Sequence, residues 1–116
     1  MNIQMTAVEA LQAFCRAWFV ERDVEAAMAF IREDVDFVGT GIGESARGRD
    51  EMLSYLRQDM LEIPEPFTLL LTEINEQVIA EHVRNLSAEV TLKNSVYTWH
   101  VRGFFTMVME GEGWKL

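Results

Sequence analysis

The chain has 116 residues, 49% of them hydrophobic, and a mean hydropathy of zero, which suits one domain with a real core, is too short for a two-lobed enzyme, and contains no run near the roughly 20 apolar residues of a membrane span. Nineteen acids against ten bases give a formal net charge of −9, which repels phosphate backbones and anionic lipid, so nucleic acid and membrane are excluded as partners. The opening MNIQMTAVEA has no basic segment leading into an apolar one, hence no secretory signal, and the expected location is cytoplasmic.

Thr6 and Glu9 have capping-box spacing, and Val8, Leu11, Phe14, Cys15, Trp18 and Phe19 follow at helical intervals along one stripe. The spacing predicts a first helix from about residue 6 to 21. The lone Cys15 on that stripe reads as a small buried thiol, since no histidine or cationic cluster is there to activate it. Asp23 reads as the N-cap of a second helix with Val24, Ala27, Met28 and Ile31 on one face. A short strand is expected at Val35 to Val38. A third helix follows, marked by Met52, Leu53, Leu56 and Met60, and must end before the proline-bearing IPEP.

From Phe67 onward the chain reads as strands: FTLLLTEINEQVI, VRNLSAEVTL, VYTWHVRGFFTMVME, and a last one opening at WKL. The turn-prone clusters AEH, KNS and GEG separate them, which predicts sequential antiparallel pairing. In the third of these strands Tyr97, Trp99, Val101, Phe105, Met107 and Met109 are apolar on one face, while Phe104 and Val108 add apolar groups to the other. A strand apolar on both faces needs cover on both. Helices supply one cover, and a second copy of the chain, paired through the sheet, is the expected other. The last strand opens only three residues before the end, which leads to the expectation that residues 1–116 are an N-terminal piece of a longer protein. The core is expected to include Leu11, Phe14, Cys15, Trp18, Phe37, Leu53, Leu56, Trp99, Val101 and Phe105.

Between the first strand and the third helix, Gly41, Gly43 and Ala46 match the spacing G-x-G-x-x-A of dinucleotide-binding loops. The context is wrong for that use. Two helices precede the strand, the next helix begins near Arg49 instead of at the glycines, and no parallel strand with a terminal acid follows. The glycines therefore read as a loop carrying the chain from a short strand to the third helix, and no cofactor is expected.

The element order, together with ERDVEAAMAFIREDVDFVGTG, ARGRDEM and the terminal GWKL, resembles the nuclear transport factor 2-like superfamily, particularly its SnoaL-like branch. The matching features are the acidic pair Glu33 and Asp34 before the first strand, Gly48 before the third helix, and Gly113 and Trp114 opening the last strand; they span essentially the whole chain. The resemblance implies an α+β fold, a cone in which a curved antiparallel sheet wraps helices around a pocket, commonly paired through its sheet. It implies no single activity, because isomerases, cyclases and dehydratases share the fold with binding, dimerising and sensory modules.

Ketosteroid isomerase, in that superfamily, uses an Asp after the first strand as base, with a helix-one Tyr and a protonated sheet Asp on the enolate. Aligned at Asp23, the Tyr position falls near Cys15 and the base near Gly39, and neither can serve. Asp36 is the substitute base, and His100, sharing a strand face with Arg102, is the other acid–base candidate. His82 falls in a turn; Glu44 and Arg47 flank the glycine loop and suit a local ion pair. Metal-ligand spacing is absent from the sequence. Phe14, Trp18, Phe37, Trp99, Phe105 and Trp114 are expected to line the interior and to contact a small apolar ligand. The expected function is a non-catalytic ligand-binding or sensory dimerisation domain, fused to a C-terminal signalling domain; the alternative is an isomerase, cyclase or dehydratase using Asp36 or His100.

Overall fold

The computed structural model describes residues 4–116. Helix α1 (Ala7–Cys15) starts at Thr6, whose hydroxyl accepts the Glu9 N–H at 3.1 Å while the Glu9 carboxylate accepts the Thr6 N–H at 2.9 Å. That reciprocal cap is worth about 1 kcal/mol. The helix does not continue in α geometry to residue 21 as its periodicity suggests. From Arg16 to Val20 it widens into a π turn, with the Glu21 N–H reaching back to the Arg16 carbonyl at 2.9 Å. The wider turn turns both Trp18 and Phe19 toward the core side, their rings stacked at 4.4 Å. Helix α2 (Val24–Met28) begins where Asp23 accepts the Ala26 N–H at 3.0 Å.

Strand β1 (Asp36–Val38) is followed by a second short strand, β2 (Ser45–Arg47), to which it pairs antiparallel. The glycine segment is thus the tip of a small hairpin, a strand more than the loop its composition predicts. Helix α3 (Arg49–Glu62) starts at Gly48, held at φ 82°, and ends before Pro64. The four strands that follow, β3 (Thr68–Ala80), β4 (Val83–Lys93), β5 (Thr98–Glu110) and β6 (Gly113–Lys115), form an antiparallel sheet in sequence order. The curved sheet and three helices make the α+β cone expected from the sequence.

Burial alternates along β4: Leu86, Ala88, Val90 and Leu92 are buried, and their β5 partners Phe105, Gly103, Val101 and Trp99 share that inner face. The outer face carries Thr91, Glu89, Ser87 and Asn85 opposite His100, Arg102, Phe104 and Thr106. On β3 the register shifts between Thr72 and Asn75, where Glu73 adopts φ 52°. This bulge exchanges the faces, so that Leu69 and Leu71 point inward before it and Asn75 and Gln77 outward after it.

Leu11, Phe14, Cys15, Trp18 and Leu56 are buried as expected; Phe37, Leu53, Val101 and Phe105 are half-buried at the edge of the core. Trp99 is not core: it is 40% exposed, on the inner face at the open end of the sheet, where Phe67 and Tyr97 are its aromatic neighbours.

Candidate functional site

The interior is built from rings. Trp18 sits at its centre, with Phe14 at 5.7 Å, Phe37 at 5.7 Å and Tyr55 at 6.2 Å, all edge-on, and Phe37 lies 4.8 Å from Tyr55. Edge-to-face pairs at these separations are in contact and contribute roughly 0.5–1.5 kcal/mol each beyond their buried area. From Trp18 the chain of rings continues through Phe19 and Phe67 to Trp99 and Tyr97 at the open end. Phe105 lies flat along β5: a Cβ added at Gly103 would sit 2.5 Å from its ring, so glycine there makes room for the ring.

Of the six residues expected to line the interior, Phe14, Trp18 and Phe37 are brought together, and Phe105 packs against the same cluster. Trp99 joins them only through Phe19 and Phe67. Trp114 is buried in that cluster, with the Arg84 guanidinium over its ring at 4.9 Å.

The polar anchor of the interior is a group the sequence reading missed. Asp59 accepts the Trp18 indole N–H at 2.9 Å and the Arg22 guanidinium at 3.1 Å. Arg22, its side chain only 6% exposed, also donates to the carbonyls of Trp18, Asp59 and Ile63, closing the C-terminal ends of α1 and α3 together. Its own backbone takes φ 52°, an uncommon conformation for a residue with a Cβ, held by those four bonds. The signal in the sequence was the spacing of Tyr55 and Asp59, one turn apart on the third helix beside buried Met52 and Leu56. Burial, reinforced by the negative charges of Glu44, Asp59 and Glu62, pushes the Tyr55 phenol up to about 12, so it remains a hydrogen-bond donor throughout the neutral range. Burial also pushes the Cys15 thiol up to about 12, which removes it as a nucleophile.

The two acid–base candidates sit elsewhere. Asp36 is exposed on β1, on the side opposite inward-leaning Phe37. His100 is exposed on the outer face of the sheet, its Nδ1 2.7 Å from the Thr91 hydroxyl, and Arg102 beside it lies 3.4 Å from Glu89. His82 is exposed in the β3–β4 turn. Glu44 and Arg47 do not form the expected ion pair. The Glu44 carboxylate instead accepts the Gly41 N–H at 2.7 Å, while the Arg47 N–H goes to Glu51. A Cβ at Gly39 would lie 2.8 Å from that of Glu44, so the glycines let the loop fold around this side chain. An internal carboxylate thus takes the loop N–H that a phosphate would take in a nucleotide site. Among the described residues no group of His, Cys, Asp and Glu is placed to hold a metal ion, and no helix is long and apolar enough to cross a membrane.

On the outer face, Asn75, Gln77, Asn85, Ser87, Phe104 and Thr106 border an open depression of about 380 Å³. Phe104 stands there 77% exposed.

No curated protein matches the chain. Among solved structures, a candidate calcium/calmodulin-dependent protein kinase type II association domain from Thiobacillus denitrificans superposes with a TM-score of 0.78 at 18% identity, covering 99% of this chain and 92% of that one. A candidate dehydratase of the NTF2-like family from Streptomyces avermitilis gives 0.77 at 18% identity over 91% and 85%. An uncharacterised protein with a cystatin-like fold from Caulobacter vibrioides gives 0.77 at 20% over 94% and 81%. These likenesses establish the fold, and the family model for the SnoaL-like domain matches residues 8–116. By that match, the chain belongs to the SnoaL-like family within the nuclear transport factor 2-like superfamily.

Proposed function

We propose that this chain is a non-catalytic dimerising module with regulatory output, whose aromatic interior admits a small apolar ligand at its half-open end. The observation that carries this reading is the state of the interior polar groups. Asp59 is engaged by both Trp18 and Arg22, the Cys15 thiol and Tyr55 phenol stay protonated near neutrality, and Asp36 and His100 point away. General acid–base catalysis needs a group titrating near the working pH within reach of the substrate. The dimer would form through the outer face of the sheet around Phe104, whose full burial contributes roughly 1.5–3 kcal/mol per copy. Native mass spectrometry tests both parts: a dimer carrying the added mass of a small molecule is expected, with Phe104→Glu monomeric, and a mass equal to that of the polypeptide alone overturns the ligand. A wild-type chain that is monomeric at micromolar concentration overturns the dimer, and a dimer unaffected by Phe104→Glu moves the interface elsewhere.

A second reading, an isomerase-, cyclase- or dehydratase-type enzyme, has one observation in its favour: Tyr55 and Asp59 place a phenol and a carboxylate together beside the rings of Phe37 and Trp18. Dehydration or enolisation activity lost in Asp59→Asn, with the fold intact by circular dichroism, would establish it.

A further inference from the structure

Past the bulge, the odd-numbered β3 residues Asn75 and Gln77 face outward, and the antiparallel register sets them in two cross-strand rows. Asn75 lies opposite Ser87, which lies opposite Phe104; Gln77 lies opposite Asn85, which lies opposite Thr106. With strands about 4.8 Å apart and a two-residue step of about 6.8 Å, the grid measures roughly 10 Å by 7 Å. That is the footprint of a mono- or disaccharide. The same residues border the open depression of about 380 Å³, a volume in the range of small-molecule sites.

Apart from Phe104, every position of the grid is an amide or a hydroxyl, and much of their hydrogen-bonding capacity is unused. The Thr106 hydroxyl donates to Asn85 Oδ1 at 2.8 Å, which leaves the Asn85 NH2 group free to donate. The Asn75 NH2 group reaches only the Glu73 carbonyl, at 3.4 Å, and its amide oxygen stays open. Among the described residues, the Gln77 and Ser87 side chains have no partner.

This set excludes several ligand classes. An apolar ligand would bury the amides and hydroxyls without partners, at a cost for each. An anion would find no cation in the lining, whose one charged residue is Glu76, on a chain of net charge −9. A metal ion would find only that carboxylate, already 3.6 Å from Arg84. A neutral ring bearing hydroxyls fits instead. Each hydroxyl both donates and accepts, so neighbouring ones match the side-by-side oxygen and NH2 of a primary amide. The ring's C–H face suits Phe104, which stands 77% exposed at the edge of the grid.

We propose that this depression binds a neutral saccharide, hydrogen-bonded by Asn75, Gln77, Asn85, Ser87 and Thr106 and stacked on Phe104. A regulatory consequence follows, and it rests on the outer-face pairing proposed above. Phe104 cannot both stack on a sugar and be buried against a second copy, so saccharide and dimer exclude one another, and saturating sugar shifts the chain toward monomers.

The test offers maltose, cellobiose, lactose and chitobiose to the 116-residue chain, at a dilution where it sediments as a monomer, and reads saturation transfer from protein to sugar. Saturable binding of at least one of them at millimolar concentration is expected, with glucuronate and adenosine silent. Gln77→Ala should weaken binding about fivefold, the scale of one hydrogen bond, and Phe104→Ala by a similar factor of about five through lost stacking. Both positions are exposed, so the circular dichroism of either variant should match the wild type. Failure of all four sugars overturns the proposal, as does binding that both variants leave unchanged, or adenosine binding in place of sugar. At concentrations where the chain pairs, added sugar should lower the sedimenting mass. A dimer that persists with sugar bound, or a chain monomeric at every concentration, removes the outer-face pairing and leaves the site standing.

Discussion

Removing the Asp59 carboxylate tests how the interior is held together. In Asp59→Ala the Trp18 indole N–H loses its acceptor, and a buried donor left unsatisfied costs about 1–3 kcal/mol. Arg22 keeps its three carbonyl bonds but loses its counter-charge, and with a side chain only 6% exposed it cannot fully recover water. Breaking a fully buried pair costs about 3–5 kcal/mol. Asp59 is 23% exposed, so part of that loss is screened. The expected total is about 3 kcal/mol, a fall of roughly 10 °C in Tm for a domain of this size. Asp59→Asn retains an acceptor oxygen and should lose about 1 kcal/mol less. Urea denaturation followed by tryptophan fluorescence reads these values as a lower midpoint at unchanged slope. In a double-mutant cycle with Trp18→Phe, a coupling of about 1 kcal/mol is expected. An Asp59→Ala variant destabilised by less than about 1 kcal/mol would show that the network is ornamental and that ring packing alone fixes α1 against α3.

Alkaline pH probes the two raised acids. Burial pushes the Cys15 thiol up to about 12 from its ordinary 9.0 and the Tyr55 phenol up to about 12 from 10.0, so the unfolded chain loses these protons first. Their contribution to stability is present in full below pH 9 and is lost as pH rises toward 12; Tyr55→Phe should flatten the part of the decline above pH 10, measured by urea midpoints across the range. The same burial predicts that Cys15 reacts with a thiol reagent only as fast as the chain opens, and a fast reaction in native buffer would place the thiol at the surface. Gly103→Val should push the Phe105 ring off the strand and cost about 1–3 kcal/mol, seen as a lower Tm and a shifted Phe105 ring resonance.

The helices and long strands were legible because their signals are periodic. The Thr6 and Asp23 caps, the stripe through Leu11 and Trp18, and the alternation of β4 are each fixed by a handful of adjacent residues. What was not legible depends on contacts far apart in the chain. Strand β2 is only Ser45, Ala46 and Arg47, and nothing in that composition announces a strand until Phe37 lies opposite Ala46. The π turn leaves the apolar stripe intact and changes only its winding, so the pattern of hydrophobic residues is the same for either helix. Within the site, aromatic residues were readable as interior. The acid that organises them was not, because Asp59 lies 41 residues from Trp18 and looks, on its own helix, like a solvated carboxylate.

The bulge at Glu73 acts on β3 as a one-base insertion acts on a gene. Upstream of it the odd-numbered residues Leu69 and Leu71 face the core; downstream the inward positions are the even-numbered Glu76 and Val78, paired with Leu86 and Arg84. Substitutions in this strand therefore have to be read in two frames, and the same exchange of leucine for a polar residue has opposite meanings at equal parity on either side of Glu73. Deleting Glu73 would remove the extra residue and merge the frames without a slip, since Asn75 would still lie opposite Ser87 and Gln77 opposite Asn85 in the register that Thr72 and Glu89 set.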